Sequence, residues 1–191
     1  MEGREIRQLR SVPAEFTTRE DGDDLRIEGY FAVFNSVYDI APGMSESIAP
    51  GAFDETISGD IRALINHDTT LVVGRTTAKT LELRVDSHGL WGSILVNPND
   101  TDATNAYARV TRRDVTQCSI GFDIIREDTE IRPDGSVHWT IREVQLWEVS
   151  ICTFPAYTET NISARTQERD EFLKRERQAW QQKMLQRLKG E

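Results

Sequence analysis

Three side chains in this sequence could together hydrolyse an acyl bond: a serine, a histidine and a carboxylate. The serine is Ser119, in a stretch where apolar residues occupy every second position: Cys118, Ile120, Phe122 and Ile124. This period of two predicts a half-buried strand with Ser119 and Gly121 on the face away from the core. A nucleophilic hydroxyl followed by a glycine could meet a substrate backbone there. An ordinary solvated strand face fits the same pattern.

The histidine and the carboxylate come from two other segments. His67 follows the apolar stretch 61–65, where a strand should end, so it could reach the face of a neighbouring strand. Glu148 interrupts an apolar run, 146–152. A carboxylate buried without a partner costs several kcal/mol, so either Glu148 is exposed to solvent or it serves a histidine by fixing its tautomer. We expect His88 and His138, both beside turns, to lie on the surface.

The chemistry that these three residue types support is acyl transfer. A serine becomes an effective nucleophile when a neighbouring histidine removes its proton, which contributes about 10²- to 10⁴-fold. Backbone amides near Ser119, or beside one of Arg109, Arg112 and Arg113, are the candidates for oxyanion donors. Cys118 is an alternative nucleophile, but its position in the alternation points it into the core.

A long hairpin should bring Ser119 and Glu148 together. Residues 115–131 and 137–154 flank a turn at 133–136 that contains Asp-Gly, a strong hairpin signal. With Asp134 and Gly135 at the centre, Gly121 faces Glu148 and Ser119 faces Ser150. Ser119 and Glu148 are then diagonal neighbours, roughly 7 Å apart. A bulge near residues 143–145 would break this register.

The remaining pattern predicts a mainly β fold with a few helices. Many short strands favour a closed or nearly closed β-barrel, since closure removes exposed edges. We predict a body over 1–160 and a charged, amphipathic helical tail over 161–191, with Leu173, Trp180, Met184 and Leu188 as its apolar stripe. The other predicted strands are 5–16, 24–34, 61–65, 70–75, 79–86 and 89–96; the predicted helices are a short one within 50–59 and another over 103–113.

Composition narrows the functional classes. The chain has 191 residues, a net charge of −9, and no apolar run of membrane-spanning length. The charge divides into −12 over residues 1–164 and +3 over the rest, and an acidic body argues against nucleic-acid binding. The charged N-terminus does not resemble a secretory signal, so we expect a cytoplasmic protein. Cys118 and Cys152 should be reduced core residues, and no metal or cofactor is expected.

These features resemble the prohead maturation proteases of tailed bacteriophages, which share an ancestral barrel with the herpesvirus assembly protease. The family often has Met-Ser-Phe-Gly-Phe where this chain has Cys-Ser-Ile-Gly-Phe, so the apolar/small alternation is retained. The blocks that carry the resemblance span about residues 24 to 160: Glu28–Asn35, Ile48–Phe53, Asn66–Asp68, Val73–Thr76, Cys118–Phe122, Glu148–Ser150 and Phe154–Tyr157.

The resemblance implies a nucleophile at Ser119, a base at His67 and an acidic third member at Glu148, with Asp68 the weaker choice. It implies a barrel of the herpesvirus-protease type and a serine endopeptidase acting in the host bacterial cytoplasm, inside the immature capsid. Its substrates would be scaffold protein, a scaffold-like segment of the major capsid protein, and itself. A homodimer is possible, and the tail would serve encapsidation or be self-cleaved. Arg75 matches a recurring arginine, for which we expect a strand-end salt bridge.

Two other functions fit the residues. One is a non-catalytic β-barrel that acts as a scaffolding or assembly factor and retains the three residues without using them. The other is an esterase with the same three residues, which would need a deep apolar pocket, whereas a peptide groove lies open along strand edges. The absence of a Gly-x-Ser-x-Gly nucleophile elbow weakens the esterase hypothesis.

Overall fold

The computed structural model describes residues 8–13, 16–22, 24–154 and 159–189. The chain divides into two compact units, residues 1–157 and 158–191, close to the predicted boundary at 160. The first unit contains, in chain order, β1 (Gln8–Pro13), β2 (Thr17–Asp21), β3 (Asp24–Val33), β4 (Tyr38–Ala41), β5 (Met44–Ile48), β6 (Arg62–Ile65), β7 (Asp68–Arg75), β8 (Leu81–Val85), β9 (Gly89–Val96), α1 (Thr101–Thr111), β10 (Gln117–Ile131) and β11 (Val137–Cys152). The second contains α2 (Glu159–Lys189).

The strands of the first unit form two sheets. The larger has the order β1-β10-β11-β5-β4, with β6 also paired to β11 and β7 paired to β6; the smaller has the order β2-β3-β9-β8. β11 takes two parallel partners, β5 beside its first half and β6 beside its second. The mainly β prediction with a few helices is correct. Neither sheet closes on itself within the described ranges, so the closed barrel is not confirmed.

One hydrophobic core joins the two sheets. Ile27 and Leu90 from the smaller sheet belong to the same buried cluster as Phe122 and Leu146 from the larger one. Helix α1 covers part of this core with its buried face, which carries Ala103, Ala106 and Val110. The helix begins two residues before the predicted start because Asp100 accepts hydrogen bonds from the amides of residues 102 and 103.

The hairpin of β10 and β11 has the predicted register at the site, although its turn differs from the prediction. Ile131 pairs with Val137, so residues 132–136 form the loop in place of a two-residue Asp-Gly turn. Bulges at Ile124/Arg126, Arg126/Glu127 and Gly121/Phe122 then shift the pairing. Together they compensate for the longer loop, and Ser119 faces Ser150 as predicted.

Three short strands and one helix were predicted incorrectly. β2, β4 and β5 were not predicted. Every residue of β5 is buried, so the strand has no alternation for a period-two search to detect. Residues 50–59 form successive turns, with Ile57 N donating to Phe53 O, and not the short helix that was expected.

The second unit is one helix, α2, which begins two residues before the predicted start at residue 161. Trp180 and Met184 of the predicted apolar stripe are exposed. No helix within the described ranges combines the length and the apolar character that crossing a bilayer requires.

His138 is buried, contrary to the surface position predicted for it. Its Nδ1 lies 2.9 Å from Ser45 Oγ and its Nε2 lies 2.9 Å from Ser47 Oγ. Burial lowers the pKa of this imidazole and Arg132 lowers it further, while Glu130, its partner across the hairpin, acts in the opposite direction. The buried ring is therefore neutral at pH values where an unfolded histidine already carries a proton.

This shift predicts a loss of stability at mildly acidic pH. Below the ordinary value of 6.5 the unfolded chain takes up the proton first, so the free energy of unfolding should fall as pH decreases until the lower folded pKa is passed. Urea midpoints between pH 7.5 and 5 should decline more in the wild type than in His138→Gln. The matched control is His88→Gln, since His88 is exposed. Equal slopes in the wild type and His138→Gln would contradict the assignment.

Candidate active site

His67 occupies a tight turn between β6 and β7. Ile65 pairs with Asp68 across this hairpin, so Asn66 and His67 are its two central residues. Their φ angles are +51° and +62°, the left-handed values that a type I′ turn requires at both positions. Asparagine and histidine are among the non-glycine residues that tolerate this region best. The turn therefore fixes the backbone from which the imidazole projects.

The turn is tied to the end of β11. Asn66 N donates to Ile151 O at 2.9 Å, and Asn66 Oδ1 accepts from Thr153 N at 2.9 Å. His67 N donates to Ser150 Oγ at 3.2 Å. These bonds place the imidazole beside the second half of β11, as the parallel pairing of β6 and β11 allows.

Glu148 binds the imidazole directly. Its Oε1 lies 2.6 Å from His67 Nδ1, and its Oε2 accepts a hydrogen bond from Ser150 Oγ at 2.7 Å. Glu148 is only 2 % exposed, so solvent does not explain a carboxylate in this apolar run. Asp68, the weaker choice, is exposed and accepts from Thr70 N and Thr70 Oγ1. The carboxylate on the imidazole is therefore that of Glu148.

Gly121 provides the space in which Glu148 lies. A Cβ at this position would stand 2.9 Å from Glu148 Cδ and still closer to Oε1. Any side chain here would therefore push the carboxylate away from His67. The sequence pattern suggested that a substrate backbone could approach this glycine. In the structure the side chain of Glu148 fills that space.

Ser119 lies on the same face of β10 as Gly121, directly opposite Ser150. Side chains of paired residues in an antiparallel sheet stand side by side, so Ser119 is next to the serine that contacts both His67 and Glu148. Ser119 is fully buried, as are Cys118 and Ile120 on either side of it. The expected solvated face is thus wrong. No hydrogen bond joins Ser119 to His67, two residues that the structure describes.

A sulfur lies beside the second ring nitrogen of His67. Cys152 Sγ lies 3.7 Å from His67 Nε2, and this contact could not be predicted from a cysteine in an apolar run. Burial, reinforced by the charge of Glu148, raises the pKa of the Cys152 thiol to about 12. Cys118 donates to Tyr30 O at 3.1 Å and is buried, as the alternation predicted.

The geometry is that of a buried carboxylate bound to one nitrogen of an imidazole, with a thiol beside the other nitrogen. With the carboxylate on Nδ1, the proton of a neutral ring resides on that nitrogen, and Nε2 is left as the base. Comparison with known proteins agrees with this chemistry. The family model of caudovirus prohead serine proteases matches residues 14–175.

The chain belongs to the caudovirus prohead serine protease family. It is also 30% identical, over 163 residues, to the prohead protease of Enterobacteria phage HK97, an alignment that covers 83% of this chain and 68% of that protein. A solved structure of the bacteriophage T4 capsid assembly protease matches with a TM-score of 0.43 and 10% identity, over 76% of this chain and 98% of that one. This structural similarity is too low to establish a shared fold.

Arg75, the recurring arginine of the prohead protease resemblance, forms the expected salt bridge. Its Nε and Nη2 bind the two oxygens of Asp60 at 2.7 and 2.6 Å, and Arg62 binds the same carboxylate at 3.0 Å. These cations and hydrogen bonds hold the pKa of Asp60 well below its usual range. Arg62 and Arg75 are paired across β6 and β7, so the cluster clamps the open end of the hairpin whose turn carries His67.

The arginine amides suggested as oxyanion donors are already used by α1. Arg112 N donates to Ala108 O and Arg113 N to Val110 O, and Arg109 lies within the helix, where its amide serves the helical ladder. The amides of these three arginines are therefore already bonded, and an oxyanion donor beside them or near Ser119 stays a prediction.

Removing the Ser150 hydroxyl should weaken both folding and activity. Ser150→Ala leaves a buried carboxylate oxygen and the His67 amide without this partner, a loss of about 1–3 kcal/mol in the free energy of unfolding. The matched control is Ser93→Ala. Ser93 is also buried on a strand, donates to Glu28 at 3.0 Å and accepts from Arg26 at 3.3 Å.

Both variants should lose comparable stability, measured by urea unfolding, but only Ser150→Ala should lower the rate of peptide cleavage at a temperature where both are folded. An equal effect of the two substitutions on that rate would show that Ser150 has no special part in orienting Glu148 and His67.

The two cysteines should resist alkylation in the folded protein. With a pKa of about 12, Cys152 carries roughly 10³-fold less thiolate at pH 7.5 than an ordinary thiol. Iodoacetamide labelling followed by mass spectrometry should find both cysteines unmodified until urea unfolds the chain. Rapid modification of Cys152 in the native protein would instead favour a thiol nucleophile.

Proposed function

We propose that this chain is a serine endopeptidase in which Ser119 is the nucleophile, His67 the general base and Glu148 the residue that orients and stabilises the imidazole. The supporting observation is the 2.6 Å bond between His67 Nδ1 and the buried carboxylate of Glu148, which pairs with Gly121, two residues from Ser119 on the same face of β10. Membership of a serine protease family gives the same class of reaction.

In the proposed mechanism Ser119 Oγ attacks the scissile carbonyl carbon while His67 Nε2 takes its proton. The carboxylate of Glu148 accepts a hydrogen bond from His67 Nδ1–H and stabilises the imidazolium. The same proton then passes to the leaving amine, which departs and leaves an acyl-enzyme. Water, deprotonated by the neutral imidazole, attacks the acyl carbon and releases Ser119 with its hydroxyl restored.

This chemistry requires a rearrangement from the state described above. In that state Cys152 Sγ is beside Nε2, and Ser119 is fully buried. In the reactive state Ser119 Oγ would replace Cys152 Sγ as the partner of Nε2. Catalytic hydrogen bonds are often long before substrate binds and shorten in the reactive complex.

We further propose that the substrates are the major capsid protein, scaffold protein and the chain itself, cleaved inside the immature capsid in the host cytoplasm. The HK97 relative is a prohead protease by its name. A homodimer stays a prediction, as does a nearly closed barrel of the herpesvirus-protease type.

A non-catalytic assembly factor is the competing function. It draws support from the complete burial of Ser119 and from the thiol beside Nε2. The precise arrangement of Glu148, Ser150 and Gly121 favours the enzyme, because a buried carboxylate is costly to retain without a use.

A fluorophosphonate probe distinguishes the two functions. It should label the wild type, and Ser119→Ala should abolish labelling because the nucleophile is gone. His67→Ala and Glu148→Gln should slow labelling by about 10²- to 10⁴-fold. Ser93→Ala is the matched control, a buried serine in the other sheet, and should label at the wild-type rate.

Coexpression with the cognate capsid protein tests the substrate. Mass spectrometry should find a shortened capsid subunit with the wild type and only the full-length subunit with Ser119→Ala. Truncation of the subunit in both cultures would assign the cleavage to a host protease.

A further inference from the structure

The strand that carries Ser119 is paired on both edges. β11 lies along one edge as the other arm of the hairpin, and β1 lies antiparallel along the other. The register places Ser11 directly opposite Ser119, with Arg10 opposite Ile120 and Val12 opposite Cys118. The main chain of the N-terminal segment is therefore the backbone beside the candidate nucleophile on that edge.

An extended peptide recognised by a sheet edge forms this same kind of pairing. Main-chain hydrogen bonds supply its affinity, and they require a strand whose edge is free. The only edge of β10 that a substrate could take is the one that β1 occupies, because the other is fixed by the covalent hairpin. Substrate and β1 thus compete for one position.

β1 is also placed so that it could leave. It is the terminal strand of the larger sheet, with β10 as its neighbour in the strand order. The chain after it is anchored independently, because the ring of Phe16 packs edge-on against Phe31 at 5.5 Å in the other layer. Release of residues 8–13 therefore leaves β2 in place, and a substrate strand would restore the main-chain bonds that β10 loses.

We propose that residues 8–13 are a built-in pseudosubstrate: they occupy the substrate's position beside Ser119 and hold the enzyme latent until they are displaced. This inference rests on the proposed protease function.

Two full-length variants test the proposal from opposite directions. The first weakens β1 with the double substitution Arg10→Pro/Ser11→Pro. In an antiparallel strand every second residue forms main-chain hydrogen bonds with a given neighbouring strand. One of residues 10 and 11 must therefore bond to β10, and a proline there removes its N–H. The matched control is Arg19→Pro/Glu20→Pro in β2, the edge strand of the other sheet.

The second variant, Val12→Cys, places a cysteine opposite Cys118. Paired residues have Cα separations of about 4.5–5.5 Å, within the range that a disulfide can bridge. Oxidation should lock β1 onto β10 and dithiothreitol should release it. The wild type taken through the same redox cycle is the control for Cys118 and Cys152.

The readout is the rate at which the fluorophosphonate probe labels Ser119. We expect labelling at least tenfold faster in the β1 proline variant than in the wild type or the β2 variant, and slowed again by a synthetic peptide of residues 6–15. We expect the oxidised Val12→Cys protein to be unlabelled and the reduced protein to label. If the proline variant fails to fold, the disulfide pair alone decides.

Equal labelling of the oxidised and reduced Val12→Cys proteins, with Ser119→Ala unlabelled, would overturn the pseudosubstrate and leave the protease intact. If neither the β1 proline variant nor the reduced Val12→Cys protein is labelled, the proposed function fails and this inference fails with it.

Discussion

The bond between Glu148 and His67 is the interaction on which the rest of the site depends. A buried carboxylate is tolerated only when its oxygens are satisfied, and here one oxygen binds the imidazole and the other binds Ser150. The space for the carboxylate exists because residue 121 has no side chain. The carboxylate of Glu148 therefore depends on three residues: Gly121 leaves space for it, and Ser150 and His67 bind its two oxygens.

The candidate site is assembled from the two arms of one hairpin and from a turn earlier in the chain. β10 supplies Ser119, β11 supplies Glu148, and the turn after β6 supplies His67. The parallel pairing of β6 with β11 carries the turn to the level of Ser150, and the two left-handed residues at its tip reverse the chain there. A longer or looser turn would leave the imidazole free to swing, so the strained backbone is what gives the ring its direction.

The sequence predicts the parts of this site that depend on local patterns, but not those that depend on parallel pairing or on burial of both sheet faces. Alternation and the Asp-Gly turn located the hairpin, and its register at Ser119 is right only because bulges compensate for a longer loop. Apolar alternation suggested a solvated face for Ser119, yet neighbouring elements cover both faces. His138 and the fully buried β5 were missed for the same reason. No local signal indicates that β5 and β6 pair in parallel with β11, so the contacts of Ser150 and Cys152 could not be foreseen.

The neighbourhood of the imidazole also determines which nucleophile it can serve. A cysteine acts as a thiolate formed before attack, and the burial and negative charge that raise the pKa of Cys152 to about 12 disfavour that anion. A serine needs no prior ionisation, because its proton moves to the base as the new bond forms. The same carboxylate that stabilises an imidazolium at Nδ1 therefore suppresses thiolate chemistry at Nε2. A thiol 3.7 Å from the base is compatible with an enzyme whose nucleophile is an alcohol.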